Sequence, residues 1–241
     1  MNLVRYADRP DLRAIRFETL SQVTFPEYMH HNVPGNRYWD RLYEDFPGLQ
    51  LALLDGDELV GEFHSVPTPW DGSDADLPSG WDEAFLRAFE SGREPTVLCA
   101  LAISVRPDQQ GRRLSGTALN AMREAAAEHG LRELIAPVRP TRKSSYPLIP
   151  IERYMHWRLG DGSHFDPWIR LHERVGGEIL AAAPESMVVE APVADWEEWT
   201  GMRFPEDGDY IVPGMLAPLF VRGGTGRHVE PNVWVRHALP R

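Results

Sequence analysis

A chain of 241 residues is long enough to bury a substantial core, and its 42% hydrophobic content is that of an ordinary globular protein. A net charge of −11 excludes the basic footprint of a general nucleic-acid binder, and no apolar run reaches the ~18 residues of a membrane span. Cys99 is the single cysteine, which excludes intrachain disulfides and thiolate metal clusters. Because "MNLVRYADRP" has no basic-then-apolar leader, the expected location is the cytoplasm.

In chain order, "LVRYAD" predicts a first strand. The pattern "DLRAIRFETLSQVTF" follows, with Leu12, Ile15, Phe17 and Leu20 as the apolar stripe of a helix. "NRYWDRLYEDF" predicts a second short helix ending at Gly48. The two apolar runs of "LQLALLDGDELVGEFHSV" flank an Asp-Gly turn, which predicts a hairpin with strands near 49–54 and 58–66. Residues 67–95 are polar, acidic and proline-rich around a short helix carrying Trp81, Phe85 and Phe89, and read as an insertion.

"TVLCALAISV" is too continuously apolar for a half-exposed strand and predicts a central one covered on both faces. An alanine-rich helix from Leu114 to about His129 and the strand "RELIAPV" follow, a strand-helix-strand order that favours parallel pairing. After a long connection, "DPWIRLHERVGG" predicts a helix capped by Asp166. "EILAAA" and "ESMVVEA" predict two strands, and the C-terminal residues a hairpin about residues 223–226.

The chemistry centres on "SVRPDQQGRRLSGTAL", where a buried strand turns into a helix. Helix N-termini attract anions because their first amides are unpaired and the macrodipole is positive there. Gly111 allows close backbone approach, and Arg112 and Arg113 add charge; the same residues also suit a plain reversal of the chain. The sequence has no "GxxxxGK[ST]" and no "GxGxxG" after a strand.

The order of elements resembles the GNAT acyltransferase superfamily. "VRPDQQGRRLSGTAL" resembles the family's pyrophosphate turn at Val105, Pro107, Gln110 and Gly111, and "IRLHERVGG" resembles its "RLYEKLGF" segment at Arg170, Leu171, Glu173 and Gly176. The resemblance implies an α/β fold: a mixed, centrally splayed sheet flanked by helices on both faces, with an insertion between strands 3 and 4. Residues 1–191 would form the core, and 192–241 a C-terminal hairpin extension packed on the same domain.

The resemblance further implies acetyl-CoA or coenzyme A as co-substrate. Its pantetheine would lie along Ile103, Ser104 and Val105, and its diphosphate on Gln110, Gly111, Arg112, Arg113, Leu114, Ser115 and Gly116. The implied reaction is acyl transfer, most simply acetyl transfer, to the amine of a small molecule by direct attack in a ternary complex. Nucleic acid and membrane are not expected partners, and a homodimer is compatible with the sequence.

This chain departs from the family pattern at Arg113, where a glycine is usual, and at His172, which stands for the tyrosine that protonates the departing thiolate. A histidine can serve as that acid. The central strand carries no acid, which leaves Glu94 and His64 as candidate proton acceptors. No metal is expected, since the histidines lack ligand spacing and no "HExxH" occurs. The departures also motivate an alternative, a GNAT-like protein that binds or senses an acyl-CoA or small molecule without catalysis.

Overall fold

The computed structural model describes residues 1–110, 112 and 114–240; Gly111, Arg113 and Arg241 lie outside the described residues. β1 (Asn2–Arg5) leads into a segment where the first expected helix does not form as one element. It divides into a 3-10 turn (Pro10–Ala14), a π-turn (Phe17–Ser21) and a single α-turn, α1 (Gln22–Thr24). Leu12 and Leu20 enter the core, but Ile15 and Phe17 are exposed while Arg16 between them is buried. The extra residue of a π-turn re-aims the side chains around it, and here it follows an arginine bound for the interior.

The second expected helix is also two, α2 (Val33–Tyr38) and α3 (Arg41–Asp45). Asn32 caps α2 by accepting the Gly35 N–H at 2.8 Å. β2 (Leu51–Asp55) and β3 (Glu58–Thr68) form the expected hairpin, with Gly56 at φ +61° in its turn. α4 (Trp81–Glu90), from the 67–95 segment, buries Trp81 and Phe85 over β3 and β4 (Val97–Val105). α5 (Leu114–Glu128) then returns the chain to β5 (Glu133–Val138), which runs parallel to β4 as the strand-helix-strand order requires.

α6 (Ile151–Tyr154) and α7 (Pro167–Arg174) occupy the connection that follows, and the Asp166 carboxylate caps α7 by accepting the Trp168 and Ile169 N–H groups. The two strands expected after it are one, β6 (Gly177–Pro192). Its register on β9 shifts between Ala183 and Met187, so residues 184–186 stand opposite Pro231 alone. Pro184 and Pro231 lack N–H groups and could not donate to the ladder, so a bulge there sacrifices fewer bonds than elsewhere. α8 (Val193–Thr200), β7 (Gly208–Tyr210), β8 (Leu219–Arg222) and β9 (Thr225–Ala238) complete the chain.

The strands form one mixed sheet in the order β1-β2-β3-β4-β5-β9-β8-β7, with β6 along the other edge of β9. α5 covers one face over Leu98, Ala100 and Phe63, and the helices of the N-terminal half and α4 cover the other over Cys99, Leu101 and Val66. Two irregularities open the sheet. β4 and β5 pair only at Leu98↔Leu134 and Cys99↔Ile135, and then part. On β9, β5 takes residues 233–238 and β8 takes 225–228, so 229–232 between them pair with neither.

Candidate active site

A cavity of about 300 Å³ lies where β4 and β5 separate. Leu101 and Ala102 of β4 and Pro137 of β5 form part of its wall. β4 is bulged at this point, because His64 pairs with Ala102 while Ser65 pairs with Ala100, leaving Leu101 without a partner residue on β3. Past Cys99 the β4 edge toward β5 carries no strand pairing among the described residues, which leaves an edge of the kind that an extended ligand can pair with.

The irregular segment after β1 brings Arg16 to one side of the cavity. Its guanidinium donates to Glu62 of β3 through Nε at 2.7 Å and Nη2 at 3.0 Å, and through Nη2 to Ser21 Oγ at 2.8 Å. Glu62, 1% exposed, also accepts from Ser21 Oγ at 2.8 Å and the Tyr6 hydroxyl at 3.1 Å. Strand β3 thus pins the N-terminal segment through one saturated carboxylate.

The second irregularity supplies a matching pair. Glu230 stands in the 229–232 gap of β9 and accepts from Arg139 just beyond β5, from the Tyr28 hydroxyl at 3.2 Å and from His228 Nε2 at 2.6 Å. Burial alone would raise the Glu230 pKa, but Arg139 and His228 outweigh it and hold the group at about 2. Arg16, Glu62, Arg139 and Glu230 all line the cavity.

A polar joint closes the far wall: the Asn32 amide donates to Asp82 Oδ1 at 2.9 Å, and Asp82 Oδ2 accepts the Val188 N–H at 2.9 Å. Burial lifts the Asp82 pKa to about 6. Trp39 lies against Trp81 at 6.5 Å and stacks on His64 at 5.0 Å, and the Trp81 indole N–H donates to the Leu101 carbonyl at 2.9 Å. These contacts fix the bulged strand to α2 and α4.

The residues named from the sequence fall in three places. Ile103 is half-buried on β4, and Ser104 and Val105 are buried, with Ser104 Oγ lacking a hydrogen-bond partner among the described residues. Gln110 and Arg112 are exposed at the turn, and Arg112 donates to Asp55 at 3.3 Å and to Gln109. Leu114, Ser115 and Gly116 form the first turn of α5, and a Cβ on Gly116 would meet nothing within 4 Å. This half-exposed helix start beside a bare strand edge fits a phosphorylated, amide-bearing cofactor. Gly111 and Arg113 lie outside the described residues.

The proton-transfer candidates are dispersed. Glu94 is exposed on the loop before β4. His64 is buried behind Trp39, bonded to the Tyr43 hydroxyl at 2.6 Å and 3.7 Å from Glu62; desolvation and then Arg16 push its pKa well down. His172 is buried on α7 with Nδ1 2.9 Å from His237 Nε2, and desolvation and then His237 lower its pKa to about 3. None of the three lines the cavity. The residues that do, Arg16, Glu62, Arg139 and Glu230, left one sequence signal: an acid inside an otherwise apolar strand, in "LVGEFHSV" and "HVEPNVWV". Among the described residues no group of three His, Cys, Asp or Glu side chains is placed to hold a metal.

No family model matches the chain. It is 29% identical to the arginine N-acetyltransferase avaD of Aspergillus versicolor, over 97% of this chain and 92% of that one. In fold it resembles the loading GNATL domain of CurA from Lyngbya majuscula, with a TM-score of 0.63 at 20% identity over 98% of this chain and 96% of that one. It also resembles the GphF GNAT-like decarboxylase in complex with isobutyryl-CoA, with a TM-score of 0.62 at 16% identity over the whole of both chains. With its splayed mixed sheet and these structural neighbours, the chain has a GNAT-like fold.

Proposed function

We propose that the protein is an acyl-CoA-dependent N-acyltransferase, transferring an acetyl group from acetyl-CoA to the amine of a small molecule. The observation that carries this reading is the cavity at the β4–β5 separation. It puts a pocket with arginines and glutamates in its wall against a strand edge that is unpaired past Cys99. The full-length relationship to an arginine N-acetyltransferase supports the same chemistry.

In this reading Ile103 to Val105 hold the pantetheine arm and the turn from Gln110 to Gly116 holds the diphosphate. Bound there, acetyl-CoA supplies an activated thioester. The chain's own contribution is to orient the two reactants: the bulged β4 fixes one side, and the clamped Arg16 and Arg139 fix the other. Bringing amine and thioester together in one pocket removes much of the entropic part of the barrier. No helix among the described residues is long and apolar enough to cross a membrane.

The test is thermal stability with acetyl-CoA, followed by thiol release against a panel of amines. Stabilisation and thiol release are the expected results. Absence of any stabilisation at millimolar acetyl-CoA overturns the reading, and stabilisation without thiol release for any amine reduces the protein to a binder.

A further inference from the structure

The two arginines of the cavity are tied in the same way. Each spends Nε and Nη2 on the protein: Arg16 on Glu62 and Ser21, Arg139 on Glu230, the Tyr28 hydroxyl at 3.3 Å and the Gly214 carbonyl at 2.9 Å. Neither Nη1 has a hydrogen-bond partner among the described residues. A guanidinium whose terminal amino group is left over in a partly desolvated pocket has unsatisfied donor capacity.

The glutamates do not offer the reverse. Both Glu62 oxygens already accept two hydrogen bonds each, from Tyr6 and Arg16 on one and from Arg16 and Ser21 on the other. Glu230 accepts three. The remaining acid on the wall, Asp40, is exposed and pairs with Arg13 at 3.5 Å. His30, also on the wall, is kept from charging mainly by desolvation. Each arginine–glutamate pair is neutral overall, and what the two pairs leave over is donor capacity, which matches a carboxylate; an ammonium group would find both Glu62 oxygens already occupied.

Building on the acyltransferase reading, we infer that the acceptor is a free amino acid, its carboxylate bound through Nη1 of Arg16 and Arg139. Its amine is then the end left for the β4–β5 gap. The saturated glutamates act as positioning residues, which hold each guanidinium with one edge toward the ligand.

Binding of the common L-amino acids to the full chain, with and without coenzyme A, tests this by calorimetry. Three of them are set beside their decarboxylated counterparts: arginine with agmatine, lysine with cadaverine, and phenylalanine with phenethylamine. At least one of these amino acids is expected to bind at least tenfold more tightly than its amine. Arg16→Lys and Arg139→Lys keep a charge opposite each glutamate but remove Nη1. Each should cut that discrimination several-fold while leaving coenzyme A affinity unchanged.

Amines that bind as tightly as their amino acids, or no binding by any amino acid, overturn the inference, as does discrimination unchanged in both variants. The comparison on the unsubstituted chain stands even where a variant fails to fold. Discrimination that persists without thiol release from acetyl-CoA overturns the acyltransferase reading alone and leaves the carboxylate site standing.

Discussion

Glu62 and Arg16 show how a single buried pair constrains a segment that propensity alone would have made helical. Both side chains are almost wholly removed from water, so deleting one charge strands the other. Glu62→Gln is expected to cost about 3–5 kcal/mol in urea unfolding; a loss below about 1 kcal/mol would show that the segment does not depend on the pair. The buried histidines set a pH dependence. His172 and His237 have folded pKa values lowered to about 3 and about 4 from an ordinary 6.5, by desolvation first and then by a neighbouring positive charge. The unfolded chain takes up their protons first as pH falls, so the neutral pair's stabilisation is complete above about 6.5 and drains away toward 4 and below. Melting temperatures between pH 7.5 and 4.5 should fall less steeply for His172→Gln than for the parent chain, and parallel slopes would contradict this assignment.

At the scale of elements, the α4–β6 contact does most to shape the far wall of the cavity. The N-terminus of α4 docks on the β6 bulge, where the Ser186 hydroxyl accepts the Trp81 N–H at 2.9 Å and donates to Asn232 Oδ1 at 2.5 Å. Gly80 permits this approach, since a Cβ there would sit 2.1 Å from Ser186 Cα. Its backbone is extended, so the demand is for space rather than for unusual dihedrals. Gly80→Ala should therefore destabilise by about 2 kcal/mol or more through overpacking. In the β2–β3 turn, Gly56 has φ +61° and nothing within 4 Å of a Cβ, so Gly56→Ala should cost only about 1 kcal/mol. Equal denaturation midpoints for the two variants would remove α4 docking as a packing constraint.

For the whole molecule, the sheet is continuous except where β4 parts from β5 and at residues 229–232 of β9. Parting β4 from β5 sacrifices ladder hydrogen bonds in the middle of a nine-stranded sheet, a cost that a ligand's own backbone-like groups can offset. Ligand binding should therefore register as global stability. Acetyl-CoA at about a hundred times its Kd should add about 2.7 kcal/mol, roughly 5–11 °C in Tm for a domain of this size. Scanning calorimetry checks this, and coenzyme A should reproduce most of the shift, since in the proposed reading the diphosphate and pantetheine make the contacts with β4 and the turn after it.

The element order, the β2–β3 hairpin, the parallel β4–β5 pair and the helix between them were legible in the sequence, because hydrophobic period and turn chemistry act between near neighbours. The resemblance carried by Gln110 and by "IRLHERVGG" pointed to a GNAT-like fold for the same reason: a turn and a helix end are local structures. Three things depended on the assembled fold. The N-terminal helix broke because Arg16 is drawn to Glu62, 46 residues away. Two expected strands merged because β9 continues past their junction as a shared template. The polar walls of the cavity form from pairs as far apart as Arg139 and Glu230, 91 residues distant. A sequence records that Glu62 and Glu230 are acids in apolar strands. Only the packed structure decides that each is already neutralised by an arginine, and that Nε and Nη2 of Arg16 and Arg139 are spent on the protein.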